Sequence, residues 1–183
     1  SSLRELKIEK SLIRKLHLNN VKNLEKTAFK ETDICEIILY NLEKLGKISL
    51  KRDARESHIG IVRVGNFLAQ SLDLDFYFDE LHFLDGMEQL ESLFLRKVDK
   101  RRDAYSRNLS FDDVQARRDI KIYGWENLKY LKYLFICLVS KDTSGGEEPI
   151  IKLNGLNNLQ TLELKKAHDY SRSYVRIEGV KNL

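Results

Sequence analysis

The apolar residues of this chain recur as apolar-x-apolar triplets at regular intervals. Segment 16–29 aligns without a gap on segment 37–50 at an offset of 21 residues, and segment 151–164 has the same internal spacing. Looser copies of the pattern lie at 62–74, 81–95 and 120–136. A triplet of this kind predicts a short strand with two side chains pointing inward and one outward.

Each repeat unit contains two such triplets. The first triplets lie near residues 18, 39, 64, 83, 122, 153 and 177, and the second near 8, 29, 50, 74, 95, 136 and 164. A turn that often contains Asn or Gly lies between them, followed by apolar residues three apart, which suits a short helical or extended arc. Because no unit can bury its own apolar edge, neighbouring units must stack. The pattern predicts an α/β or mainly β solenoid.

The second triplets carry an LxxLxL motif, clearest at 3–8, 90–95 and 159–164. Repeated in phase, this motif resembles the leucine-rich-repeat superfamily over essentially the whole chain except its longer loops. The resemblance implies a curved solenoid with a parallel concave β-sheet, a second short strand plus a helical or extended arc in each unit, and a role mostly in protein recognition. The regular second strand is similar to plant-type repeats and to receptor L domains.

The chain departs from the leucine-rich-repeat pattern at one position of the motif. The Asn that follows LxL in many subfamilies is absent after Leu50, Leu74, Leu95, Ile136 and Leu164. The repeat lengths are also irregular. The leucines themselves are expected to form the core, so they indicate the fold and say nothing about the partner.

The domain organisation follows from the repeat. We expect a single leucine-rich-repeat domain over 1–183, taken from a longer array because both ends divide a unit. A basic insertion loop is predicted at 96–119, and a flexible loop with Gly-Gly and the chain's one proline at 138–150. Shorter polar loops are predicted at 51–61 and 165–174.

Composition narrows the class of protein. Hydrophobic residues make up 42% of the chain and charged residues 33%, which favours a folded core over disorder. The 32 basic and 28 acidic residues are interleaved, and a net charge of +4 permits nucleic-acid binding without pointing to it. Cys35 and Cys137 are far apart and form no CxxC pair, so we expect reduced thiols and a cytoplasmic location. No long uncharged apolar run predicts a membrane helix.

Residues with catalytic chemistry do not form a recognisable constellation. The four histidines lie in different units, without metal-ligand spacing: His17, His58, His82 and His168. Asp73, Asp75 and Asp79 are the densest carboxylate group, and they are interpreted either as a cation or acid/base site or as an acidic patch that pairs with Arg96. We therefore expect no catalytic residue, no cofactor and no metal, and not an enzyme.

Outward positions of the second-triplet strands supply the candidate binding site. Two units are basic there, the next is acidic, and the following two carry aromatic residues beside an arginine, which is the composition of binding hot spots. The candidate partner-binding residues are Phe94, Arg96, Tyr133, Phe135, Asp73, Asp75, Lys47, Lys51, Arg101 and Arg102. The alternative is that the 96–119 loop folds back and covers the aromatic rings.

The expected function is protein–protein recognition on the concave face, as the sensing or substrate-recognition part of a larger protein. One alternative is binding of nucleic acid or phosphate, with steep salt dependence, through Lys26, Lys30, Lys47, Lys51 and the 96–107 loop. Another is an extracellular ligand-binding domain that resembles receptor L domains, against which the scarcity of cysteine argues.

Overall fold

A computed structural model of the chain describes residues 2–45, 47–51, 58–99, 121–139, 150–166 and 176–178. Almost every regular element in these ranges is a β-strand. In chain order the strands are β1 (Glu5–Glu9), β2 (Leu12–Asn19), β3 (Lys26–Lys30), β4 (Asp33–Leu42), β5 (Lys47–Lys51), β6 (His58–Phe67), β7 (Ser71–Asp75), β8 (Tyr77–Phe83), β9 (Ser92–Asp99), β10 (Lys121–Tyr123), β11 (Tyr133–Val139), β12 (Ile150–Lys152), β13 (Thr161–Lys166) and β14 (Arg176–Glu178).

The strands form parallel sheets between which the chain alternates. A seven-stranded sheet has the order β1-β3-β5-β7-β9-β11-β13, and a five-stranded sheet has the order β10-β8-β6-β4-β2. Strands β12 and β14 pair separately. The prediction of a parallel solenoid with two strands in each unit is confirmed, and of the two predicted classes the fold is mainly β.

The arc between the two strands of a unit is made of turns. Within the described ranges the one helical element is a 3₁₀ turn at Trp125–Asn127. Its buried Trp125 ring lies 5.6 Å from the Phe83 ring, so this turn follows the apolar core instead of leaving it. A regular helical arc in every unit, which the resemblance implies, is not seen in these residues.

Inward side chains from the two sheets share a single core. Ile48 and Leu95 from the seven-stranded sheet are fully buried, as are Leu39 and Val64 from the five-stranded sheet. Burying a side chain of this size contributes about 1.5–3 kcal/mol. The core therefore depends on neighbouring units aligning their inward positions.

The strands of the five-stranded sheet are longer than the predicted short strand, since β4 has 10 residues. Its buried residues are Ile34, Ile37, Leu39 and Leu42, so two consecutive outward residues interrupt the alternation that the triplet detects, once after Ile34 and once after Leu39. The predicted polar loop 51–61 is wrong at its end for the same reason. Strand β6 already begins at His58, and Ile59 is fully buried.

One glycine marks the interruption of that alternation. A Cβ on Gly60 would lie 2.6 Å from the backbone oxygen of Cys35, closer than real contacts allow. Backbones of neighbouring strands approach closely at this level, and only glycine permits it. The register pairs on either side, Ile34 with Ile59 and Glu36 with Ile61, keep the two strands aligned past it.

Left-handed residues end the five-stranded-sheet strands, which explains the Asn and Gly seen between triplets. Asn20, Asn41 and Asn66 have φ values of 59°, 54° and 43°. Asn tolerates this conformation better than other non-glycine residues. The Asn41 Nδ2 group donates to Asn19 Oδ1 at 3.0 Å, and Asn66 Nδ2 donates to Asn41 Oδ1. A polar ladder therefore follows the corner from unit to unit.

Register within the seven-stranded sheet follows the sequence alignment with one correction. Ile8 pairs with Phe29, and Phe29 pairs with Leu50, as the repeat predicts. Leu74, however, pairs with Ile48 and not with Leu50. The fourth unit is one residue short between its two triplets, and a slip of two residues keeps the inward residues of β7 inward.

The predicted loops 96–119, 138–150 and 165–174 begin later than expected. Strand β9 continues to Asp99, β11 to Val139 and β13 to Lys166. A register irregularity between Ile136 and Leu138 turns Val98 inward, where it pairs with Leu138 and is 3% exposed. The remaining loop residues, at 100–120, 140–149 and 167–175, lie outside the described residues.

Two buried threonines differ in whether their hydroxyl groups are hydrogen-bonded. Thr27 Oγ1 is buried without a hydrogen-bond partner in the described part of the chain, whereas Thr32 Oγ1 donates to the Lys30 oxygen at 2.9 Å. We expect Thr27→Val to raise the free energy of unfolding by about 1 kcal/mol, because it removes an unsatisfied hydroxyl and keeps the shape. Thr32→Val should lower it by a similar amount.

Urea unfolding of the two variants and the parent chain measures the difference. Equal destabilisation by both substitutions would contradict the arrangement, since it would mean that the Thr27 hydroxyl also has a partner.

Candidate partner-binding site

Outward residues of β7, β9, β11 and β13 form a continuous row across the seven-stranded sheet. Asp73 lies beside Phe94, Phe94 beside Phe135, and Phe135 beside Glu163. Parallel pairing alone creates this row, because equivalent outward positions face the same side of the sheet. The four residues come from units that are far apart in the sequence.

Three aromatic rings lie together in the middle of this sheet face. The Phe94 ring centroid is 5.3 Å from that of Tyr133 and 6.2 Å from that of Phe135, with tilted planes in both pairs. All three side chains are half-buried. Aromatic pairs at these separations stabilise a sheet through cross-strand contact. Part of each ring remains exposed at the sheet surface.

Arg96 lies over the rings and is held by a carboxylate. Its guanidinium carbon is 5.4 Å from the Phe94 centroid and 5.8 Å from the Phe135 centroid, and Nε donates to Asp73 Oδ1 at 2.6 Å. The hydrogen bond to Asp73 raises the pKa of Arg96, against the opposing effect of burial, and the charge of Asp75 adds to the rise. Arg96 therefore remains a fixed cation.

Tyr133 is held from the other side of the rings. Its hydroxyl donates to Glu163 Oε2 at 2.5 Å, and this hydrogen bond raises the pKa of Tyr133. Sequence reasoning did not single out Glu163. Only the strand register identifies this contact. Thr161 lies opposite Tyr133, and Glu163 is two residues further along the same strand.

The structure brings together the sequence-predicted residues Phe94, Arg96, Tyr133, Phe135 and Asp73, with Asp75 two residues along β7 from Asp73. Lys47 and Lys51 belong to β5, where Lys47 is the register partner of Asp73, and their side chains lie outside the description. Arg101, Arg102 and the loop expected to cover the rings lie outside the described residues.

The predicted group of three aspartates is divided between two sheets. Asp73 and Asp75 lie on β7, whereas Asp79 lies on β8 of the five-stranded sheet. The chain turns between the sheets at Phe76, which is 1% exposed. Among the described residues no group of three or more His, Cys, Asp or Glu side chains is placed to hold a metal ion.

The outward face of the five-stranded sheet carries a second set of charge contacts that sequence reasoning missed. Arg63 Nε donates to Glu36 Oε1 at 2.9 Å, and this contact is the main reason that the pKa of Glu36 is lowered. Burial raises the pKa of Glu80, but hydrogen bonds from His82 and Lys121 outweigh it and the net direction is downward.

The two histidines that were predicted to point outward, His17 and His82, both lie on strands of this sheet. His17 is exposed, and the His82 ring stacks 4.7 Å from the Tyr123 ring. These contacts pair charges and rings across strands, as expected for a solvated sheet face.

Comparisons with known proteins found no match for the chain. No protein-family model, no curated protein and no solved structure matches it. Among the described residues, no helix has the length and apolar character needed to span a membrane.

The pairing of Tyr133 with Glu163 predicts a titration effect. We expect Glu163→Ala to lower the pKa of Tyr133 towards the ordinary tyrosine value, because the carboxylate stabilises the protonated phenol and repels the phenolate. The chain has 8 tyrosines, so NMR of ζ-carbon-labelled tyrosine is needed to resolve Tyr133.

Glu88→Ala is the control for this titration, since Glu88 is exposed in the turn before β9. An unchanged Tyr133 titration in the Glu163 variant would rule out the hydrogen bond in solution.

Proposed function

We propose that this chain is a protein-recognition module that binds its partner on the outward face of the seven-stranded sheet. The contact region is the aromatic–arginine cluster, defined as Phe94, Arg96, Tyr133 and Phe135. The observation that supports this proposal is the stacking of Arg96 over two partly exposed phenylalanines at an outward sheet position. Aromatic residues and arginine dominate the energetics of protein interfaces.

The cluster is organised before any partner arrives. Asp73 fixes Arg96 on one side, and Glu163 fixes Tyr133 on the other. Side chains that are already ordered lose less conformational entropy on binding, at roughly 0.5–1.5 kcal/mol saved for each flexible side chain. Because the cluster is already ordered, a smaller part of its favourable interaction energy is offset by lost side-chain entropy on binding.

Membership of the leucine-rich-repeat superfamily is part of the same proposal. It is supported by the phased LxxLxL motifs and by the parallel two-sheet solenoid. A cytoplasmic location, in which the chain serves as the recognition part of a larger protein, is supported by two unpaired thiols at Cys35 and Cys137. The proposal assigns the chain no catalytic role.

Nucleic-acid or phosphate binding gains no comparable support. Lys26 is exposed on β3, but the side chains of Lys47 and Lys51 and the basic residues of 100–107 are not among those described. On the other sheet, ion pairs with Glu36 and Glu80 neutralise the basic side chains of Lys15, Arg63 and Lys121. The receptor-like alternative likewise has no contact in its favour.

The proposal predicts that Phe94→Ala and Phe135→Ala each weaken partner binding by about 2 kcal/mol or more, the loss typical of a hot-spot residue. The partner is first isolated by affinity capture on the parent chain and identified by mass spectrometry. Binding of that purified partner to each variant is then measured by calorimetry, with circular dichroism to confirm the fold.

Ile38→Ala is the matched control, because Ile38 is a half-buried outward residue of the five-stranded sheet. Binding lost equally in the control would indicate a general folding defect. Binding retained by both phenylalanine variants would overturn the proposal.

A further inference from the structure

Two cations flank a small side chain beside the aromatic–arginine cluster. Cys137 on β11 has Lys165 as its register partner on β13. On its other side, the irregularity after Ile136 leaves Arg96 and Lys97 of β9 opposite Cys137. Arg96 and Lys165 therefore lie two strand spacings apart, about 10 Å at the backbone, with the short Cys137 side chain between them.

Both cations are close enough to Cys137 to affect the pKa of its thiol. Burial raises the pKa of Cys137, and the charges of Lys165 and Arg96 act in the opposite direction. Because the net effect raises the pKa of Cys137, its thiol is neutral near pH 7. The thiol therefore places no negative charge between the two cations. The gap between the two cations is consequently lined by a neutral, partly exposed group.

Arg96 and Lys165 keep hydrogen-bond donors that contacts with the described residues do not use. Asp73 accepts from Arg96, Glu163 accepts from Tyr133, and Asp75 also has an interaction of its own. Arg96 donates to the described part of the chain only through Nε, which leaves its terminal nitrogens for another acceptor. The Lys165 side chain is exposed, and within the described part of the chain it has no hydrogen bond or ion pair.

We propose that Arg96 and Lys165 form an anion-binding site above Cys137, which takes a carboxylate side chain from an acidic segment of the protein partner. This inference rests on the proposed function and specifies the chemistry of the partner. The guanidinium edge beyond Nε suits two parallel hydrogen bonds to a carboxylate. Lys165 supplies the second charge without requiring a fixed geometry.

The rings next to the site determine what accompanies the carboxylate. Phe94 and Phe135 lie one outward row away, on the same strands as Arg96 and Cys137. A peptide that places its carboxylate between the cations therefore brings an adjacent apolar or aromatic side chain onto these rings. Asp73, Asp75 and Glu163 add negative charge nearby, which favours a singly charged carboxylate over a doubly charged phosphate.

Selection from a phage-displayed library of random linear peptides on the immobilised chain tests the site without knowledge of the partner. We expect enriched peptides that contain Asp or Glu next to an apolar or aromatic residue. A synthetic copy of the most enriched peptide is then titrated against the parent chain and variants. Arg96→Gln and Lys165→Gln should each weaken binding roughly 10- to 100-fold, as expected for a lost charge-assisted hydrogen bond.

Matched controls separate the site from general charge effects. Lys129→Gln removes an exposed positive charge from a turn outside the sheet face and should leave peptide affinity unchanged. Cys137→Asp should abolish binding, because it supplies an internal carboxylate between the two cations. Arg96→Lys should recover only part of the affinity, since it retains charge without the planar fork.

Several outcomes would overturn the inference. They are enrichment of basic peptides, absence of enrichment, preference for a phosphorylated copy of the peptide, or equal affinity in the Lys129, Arg96 and Lys165 variants. Failure here is distinguishable from failure of the proposed function. Suppose that partner binding still requires Phe94 and Phe135 but tolerates Arg96→Gln and Lys165→Gln. The protein-recognition proposal would then stand, and the anion-binding site would be ruled out.

Discussion

The whole structure depends on the stacking of inward apolar residues from one unit onto the equivalent residues of the next. A strand of five residues, such as β5 or β7, has only two or three inward side chains and cannot form a core by itself. Repetition at a constant register turns these short segments into continuous apolar columns. At β7, where the spacing between triplets is one residue short, the register moves by two residues and the inward side is preserved.

The same constraint creates the proposed binding surface. Once inward positions are fixed, outward positions of neighbouring strands must also align, and Asp73, Phe94, Phe135 and Glu163 become neighbours. None of these residues is close to the next in sequence, and none is needed to fill the core. The carboxylates at either end of the row then hold Arg96 and Tyr133 against the rings. Side-chain contacts on the face thus follow from packing beneath it.

Sequence reasoning predicted the periodic part of this arrangement. The triplets located both sets of strands, and their outward residues included the cluster, because alternation decides which side a residue faces. The irregular part was not predictable in the same way. Two consecutive outward residues in β4, and the bulge that turns Val98 inward, both break the alternation.

The apolar-x-apolar triplet detects only part of each long strand in the five-stranded sheet. Ile34, Ile37 and Leu39 repeat the apolar-x-x-apolar-x-apolar spacing that Leu90, Leu93 and Leu95 show in the other sheet. Both halves of a unit therefore use one spacing, and each ends at a corner. Left-handed residues occur at both kinds of corner, at Glu31 after β3 and at Asn41 in β4. Diagonal contacts such as Tyr133 with Glu163 require the actual register and cannot be read from spacing.

A double-mutant cycle between Phe94 and Phe135 tests most directly whether register assembles the cluster. Forty-one positions separate the two residues in sequence, and only adjacent β9 and β11 in this register bring their rings to 6.2 Å. Unfolding free energies of Phe94→Ala, Phe135→Ala and the double variant should give a coupling of about 0.5–1.5 kcal/mol. Additivity within about 0.3 kcal/mol would contradict the register and the cluster built on it.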